Sequence, residues 1–219
     1  MRGGGGWGNG ELEYYTGRAQ NVALDGHGEL AVIARREAYR GNAYTSARLQ
    51  TKGSFAARYG RIEARIKLPA GQGLWPAFWL LGTDIDSVGW PNSGEIDVME
   101  NLGQDPFTFY VSIHGPQTRH GALSYGTTTA IHSSTSLAAS FHVYGMRWTP
   151  NRVEFWLDGS MYAAQSPTSI GAGERWVFNG KPFYLLLNLA VGGSWPGPPS
   201  GSTHFPATML VDWVRVYSS

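Results

Sequence analysis

Residues 61–68 (RIEARIKL) alternate one for one between apolar and charged. Ile62, Ala64 and Ile66 fall on one side, and Arg61, Glu63, Arg65 and Lys67 on the other. A period of two describes a β-strand with one face in a core and one in water. Pro69-Ala70-Gly71 ends it. Short apolar or alternating runs recur at residues 30–34, 77–81, 95–100, 107–114, 141–148, 152–158, 183–191 and 209–217. Thr149-Pro150-Asn151 joins two of them as a hairpin-like turn. No stretch keeps helical periodicity over three turns; residues 172–178 admit one helical turn, and residues 82–93 read as a loop. With 30 Gly and 12 Pro, turns must be frequent. There is no internal repeat, low-complexity linker or shift of composition. The chain therefore reads as one all-β domain over residues 1–219, a sandwich of two antiparallel sheets.

The composition narrows the function classes. Hydrophobic residues make up 42% and charged residues 15%, a globular balance. The formal net charge is +1 with no basic block, which argues against nucleic acid or an anionic membrane surface as partner. No apolar run is long enough for a transmembrane helix. Met1-Arg2 and four glycines lack the apolar segment of a signal peptide. The absence of Cys removes disulfides and thiolate metal sites. Nine Trp residues supply either a Trp-rich core or rigid platforms for flat apolar faces such as those of sugar rings.

The sequence Gly94-Glu95-Ile96-Asp97-Val98-Met99-Glu100 carries the chemistry. On a regular strand Glu100 would share a face with Ile96 and Val98, which is costly for a charge. One extra residue, a β-bulge at Val98-Met99, would return Glu100 to the face of Glu95 and Asp97. The Cα atoms of Glu95 and Glu100 would then lie about 13 Å apart. Side chains leaning over Asp97 could bring the carboxyls to about 5–6 Å, the separation of a retaining glycosidase. Three carboxyls on one strip repel each other, so at least one stays protonated at neutral pH, as a general acid must. The plain alternative is a half-buried strand whose polar face meets water.

Several segments in order, spanning nearly the whole chain, resemble the laminarinase-like, endo-β-1,3-glucanase branch of glycoside hydrolase family 16. They are residues 7–16 (WGNGELEYYT), 59–69 (YGRIEARIKLP), 73–81 (GLWPAFWLL), 90–100 (WPNSGEIDVME), 112–116 (SIHGP), 183–197 (FYLLLNLAVGGSWPG) and 211–217 (VDWVRVY). The resemblance implies a concanavalin A-like β-jelly-roll with a carbohydrate cleft on its concave sheet. It implies Glu95 as nucleophile, Glu100 as acid/base and Asp97 as their assistant. Met99 matches the bulged form of the motif; the lichenase branch has a regular strand there. Trp90 and His114 match cleft positions around the reacting sugar. Asn21, Arg61, Trp75, Trp79, Asn188 and Trp195 also lie in family segments and are candidate substrate contacts.

Each candidate has a structural alternative. Trp75 and Trp79 are four apart in an apolar run, and at least one reads as core. Arg61 could pair with Glu63 or Glu37. His114 could be a satisfied structural histidine. Asn188 interrupts an apolar strand and is either structural glue or a sugar contact. Trp195, in a loop between Gly193 and Pro196, reads as a stacking residue.

The resemblance further implies a secreted enzyme that needs no cofactor for the cut, acting as a monomer on a β-glucan polysaccharide. Family members begin with a strand that precedes the segment found here at Trp7, so the resemblance implies that the first strand is missing. Its absence would leave an edge open to association unless residues 3–6 fill the gap. Relatives also hold a structural calcium on the convex side, for which Asp212 is the matching ligand. Other readings are another family 16 polysaccharide such as agarose, carrageenan or xyloglucan, transglycosylation, or a glucan-binding module without catalysis.

Overall fold

The computed structural model describes residues 1–117 and 124–218. Among the described residues, fifteen strands, numbered in chain order, form two sheets packed face to face. The larger sheet runs β1 (Glu13–Tyr15), β4 (Asn42–Ser46), β3 (Leu30–Tyr39), β15 (Ala207–Tyr217), β6 (Gly60–Lys67), β11 (His142–Thr149), β12 (Arg152–Leu157) and β13 (Ser160–Gln165), with β2 (Val22–Leu24) on β3. The smaller runs β10 (Ser124–His132), β9 (Thr108–Pro116), β8 (Glu95–Asn101), β7 (Leu74–Gly82), β14 (Phe183–Val191) and β5 (Arg48–Gln50). This is the jelly-roll sandwich read from the sequence. The strands are antiparallel throughout except β1 and β4, which pair in parallel.

The alternation on β6 holds. Ile62, Ala64 and Ile66 are fully buried in the inter-sheet core, where they meet the core faces of β7, β8, β9 and β14. β14 is buried along its whole length, as a continuous apolar run requires. Its odd-numbered residues Leu185, Leu187 and Leu189 enter the main core, while Tyr184 and Leu186 form a small second cluster with Leu81.

Three expectations need correction. Residues 172–178 contain no helix; among the described residues the one α-helix, Ile85–Val88, lies in the stretch read as a loop. Strands β1, β2, β4, β5, β10 and β13 went unread, being short or largely polar. The missing first strand of the resemblance would lie near the last strand, and residues 3–6 do not fill that place: Gly3 pairs with Tyr15 of β1, with β4 and β3 between it and β15. From Trp213 to Tyr217, β15 pairs with β6 on one side, whereas its pairing with β3 spans Ala207 to Val211. No helix among the described residues is long and apolar enough to cross a membrane.

Candidate active site

The outer face of the smaller sheet carries an open cleft of about 810 Å³, within the range of ligand-binding clefts. Its floor is β8, and the expected bulge is there. Asp97 pairs with Ser112 and Glu100 with Tyr110, so Val98 and Met99 together oppose the single residue Val111. On the other edge Phe78 faces Met99 and Trp79 faces Asp97, and the register slips again. Val98 and Met99 both enter the apolar core with no exposure. Two consecutive inward side chains are what return Glu100 to the cleft, where it lines the same surface as Glu95 and Asp97.

Neighbouring strands complete the arrangement. His114 lies opposite Glu95 on β9, with its Nε2 3.1 Å from Asp97 Oδ2 and 4.0 Å from Glu95 Oε1. Gly126 of β10 faces His114, and a Cβ there would lie 2.8 Å from the ring Nδ1. Only glycine leaves the imidazole its place. On β7, Trp75 Nε1 donates to Glu100 Oε1 at 3.0 Å, and Trp79 Nε1 donates to Asn188 Oδ1 at 2.7 Å. The Asn188 amide donates in turn to the Tyr15 hydroxyl at 3.3 Å.

These contacts settle several open alternatives. Trp75 and Trp79 are both half-buried cleft residues, and neither belongs to the main core. A spacing of four is an even spacing, so it puts both on one face of a strand. Asn188 lines the cleft and also orients Trp79. Trp195 is exposed at 39% and meets Trp75 edge-on at 5.6 Å and Tyr110 at 4.8 Å. Trp90 is exposed at 48% at the Glu95 end, 6.5 Å from the His114 ring. Aromatic rings thus stand at both ends of the carboxylate strip.

Three candidates fall away from the cleft. Asn21 is fully buried beside β3, where it donates to Ile33 O and Thr45 Oγ1 and accepts from Thr16. Arg61 is on the outer side of β6, where its Nε donates to Glu63 at 2.7 Å. Both are structural. Asp212 accepts from Arg65 Nη1 at 2.6 Å. Calcium takes six to eight oxygens, and here Asp212 is ion-paired to Arg65 and lies close enough to the Glu29 carboxyl to act on it.

Sequence reasoning missed Arg48 and Trp7. The Arg48 guanidinium lies 4.5 Å over Trp79 and 5.0 Å over Trp7, a cation between two cleft-lining rings. Nothing around Arg48 in the chain announces this, because its partners come from β7 and from the turn at Gly6–Gly8.

Electrostatics separate the two glutamates. Burial first, then the Asp97 carboxylate, push Glu95 up to about 8, while His114, Arg48 and Trp90 act in the opposite sense. Burial pushes Asp97 up to about 8. Glu100 is raised well above the usual carboxyl range by burial, then by Asp97 and Glu95. His114 and a tryptophan N–H act in the opposite sense on both glutamates, and Arg48 adds to them at Glu95. Glu100 faces the carboxyls of both Asp97 and Glu95, whereas Glu95 faces chiefly Asp97, so a proton shared along the strip favours Glu100.

The strained carboxyls lower stability in a defined window. A raised carboxyl pKa means that the folded state favours the protonated form. Stability is then highest below the ordinary value of 4.5 and falls as pH rises through about 8. With a side chain 19% exposed, Glu95 loses on the order of a few kcal/mol across that range. Glu95→Gln removes the charge and keeps the shape. By calorimetry it should melt roughly 5–10 °C above the parent at about pH 8, with the gap nearly closed at about pH 4. A parent that melts higher at about pH 8 would contradict this electrostatic account.

Two carboxyl groups set among aromatic rings, in an open cleft on a jelly-roll, define a glycoside hydrolase of the two-carboxylate class. The description "Glycosyl hydrolases family 16" matches residues 7–215. The chain belongs to that family. It is 41% identical over 226 residues to a beta-glucanase of Rhodothermus marinus, covering 98% of this chain and 77% of that one. It is 37% identical to the clotting factor G alpha subunit of Tachypleus tridentatus, of which it spans only 30% while 97% of this chain is matched. The X-ray structure of an endo-beta-1,3-glucanase from Pyrococcus furiosus superposes with a TM-score of 0.90 at 45% identity, covering all of this chain and 86% of that one.

Proposed function

We propose that this chain is an endo-acting hydrolase of β-1,3-glucan that retains anomeric configuration. The observation that carries the reading is the Val98-Met99 bulge, which brings Glu95, Asp97 and Glu100 onto one surface between cleft aromatics. Family membership and the named endo-β-1,3-glucanase of the same fold support the substrate class.

In the first step Glu95 attacks the anomeric carbon. The glycosidic oxygen leaves with the proton of Glu100, and a glycosyl ester forms on Glu95. In the second step Glu100, now ionised, takes a proton from water as that water attacks the same carbon. The ester breaks and Glu95 is released as a carboxylate. Asp97, between the two, holds a proton or hydrogen bond toward the nucleophile and keeps it placed. Trp75 positions the Glu100 carboxyl through its indole N–H. Trp195 and Trp90 offer stacking faces to sugars on either side of the cut. All groups come from one chain, so a monomer suffices. A polymeric glucan places the reaction outside the cell.

Incubation with laminarin, mixed-linkage β-1,3/1,4-glucan, agarose, carrageenan and xyloglucan tests the substrate class. Laminarin should release reducing ends fastest, and proton NMR should show the β-anomer first. Initial release of the α-anomer would refute retention. Binding of laminarin without any release would leave a glucan-binding module.

A further inference from the structure

Among the described residues, one group brings three possible metal-ligand atoms together: Glu95, Asp97 and His114, with ligand atoms all within 4.8 Å of one another. We propose that these residues form a binding site for a divalent transition-metal ion such as Zn²⁺, and that the ion shuts the cleft to substrate. The metal site stands on geometry alone; the claim about substrate rests on the glucanase reading above.

Asp97 supplies the independent observation. Its residue is 2% exposed, and its Oδ2 has no hydrogen-bond partner. That atom nevertheless lies 3.1 Å from His114 Nε2. The separation is within hydrogen-bond reach, yet no hydrogen bond joins the two atoms. A ring nitrogen and a carboxylate oxygen this close and not bonded to each other suit a third body that both can touch. In a tetrahedral site with bonds of about 2.1 Å, neighbouring ligand atoms stand about 3.4 Å apart. The 3.1 Å and 4.0 Å separations from His114 bracket that value.

The donor set selects the metal. One imidazole nitrogen with two carboxylate oxygens suits Zn²⁺, Co²⁺, Ni²⁺ or Cu²⁺ and not Ca²⁺, which takes oxygens only and more of them. Three protein ligands leave a fourth position open toward the cleft. The β9 backbone and the close approach of Gly126 hold the His114 ring against β8. The carboxylate that binds the ion is the one that must attack the sugar, so ion and substrate exclude each other.

The experiment uses the full chain in a non-chelating buffer. Titration with ZnCl₂ followed by calorimetry should give one ion per chain. CoCl₂ should give the intense visible bands of four-coordinate cobalt. Asp97→Asn and His114→Ala should each weaken both signals at least about ten-fold, which guards against either variant failing to fold. Glu100→Gln serves for competition, since it holds oligosaccharide without turnover. Zn²⁺ at ten times its Kd should weaken laminari-oligosaccharide binding about eleven-fold. Absence of binding heat, binding unchanged in both ligand variants, or independent binding of ion and sugar would each overturn the proposal. Zn²⁺ binding in a chain that does not cleave laminarin would support the metal site and defeat only the glucanase reading.

Discussion

Glu95→Ala abolishes laminarin hydrolysis, and sodium azide restores turnover with an α-glycosyl azide as product. Alanine removes the attacking oxygen and leaves a space into which a small anion fits. Azide then attacks from the Glu95 side, and no second displacement follows, so the product carries inverted configuration. Glu100→Ala gives a different pattern. Loss of the proton donor lowers the rate about 10²–10⁴-fold on laminarin. The loss is far smaller on a substrate whose leaving group departs without a proton, such as a dinitrophenyl glycoside. Azide rescue of Glu100→Ala with a β-glycosyl azide product would fit its role as base in the second step. The same product from Glu95→Ala would reverse the two assignments. Circular dichroism should show both variants folded, since neither side chain enters the inter-sheet core.

The second large effect comes from exchanging two neighbours. The double variant Met99→Glu, Glu100→Met keeps composition and length, yet moves the carboxyl from the cleft to a core position with no exposure. An unpaired carboxyl in that apolar layer costs several kcal/mol, and the acid/base group is lost from the cleft. Activity should fall at least about 10²-fold, with a melting temperature lowered by roughly 10 °C or more. Deleting Met99 is the informative contrast. It restores plain alternation, so Glu95, Asp97 and the shifted glutamate still share a face. Chemical denaturation and laminarin assays should show the deletion retaining more stability and more activity than the exchange. The opposite ranking would mean that the bulge does not set the orientation of Glu100.

That bulge was legible in the sequence because regular pairing would have put Glu100 among Ile96 and Val98, a conflict with one cheap solution. The long strands were legible for a related reason. Residues 61–68 alternate and residues 183–191 are continuously apolar, and each pattern has a single burial that satisfies it. Strand β10 was not legible: its Gly-Thr-rich edge carries no apolar period, and it is held by pairing with β9. Trp75 and Trp79 were read as candidate contacts with a core role as the alternative; an even spacing on one strand puts both in the cleft. Asn21 and Arg61 lie in segments shared with the family, and a shared segment does not distinguish a sugar contact from a hydrogen-bonded support. Arg48 illustrates the opposite failure. Its role is made by Trp7 and Trp79, which are distant in the chain and meet it only when β5 pairs with β14 beside β7.

The most direct test of the central claim is to trap the sugar on the enzyme. A 2-deoxy-2-fluoro laminaribiosyl fluoride forms the glycosyl ester quickly and hydrolyses it slowly, so mass spectrometry of proteolytic peptides locates the attacking residue. One adduct per chain, on Glu95 in the peptide that contains residues 94–100, is the predicted result. An adduct on Glu100, or none in a preparation that cleaves laminarin, would contradict it.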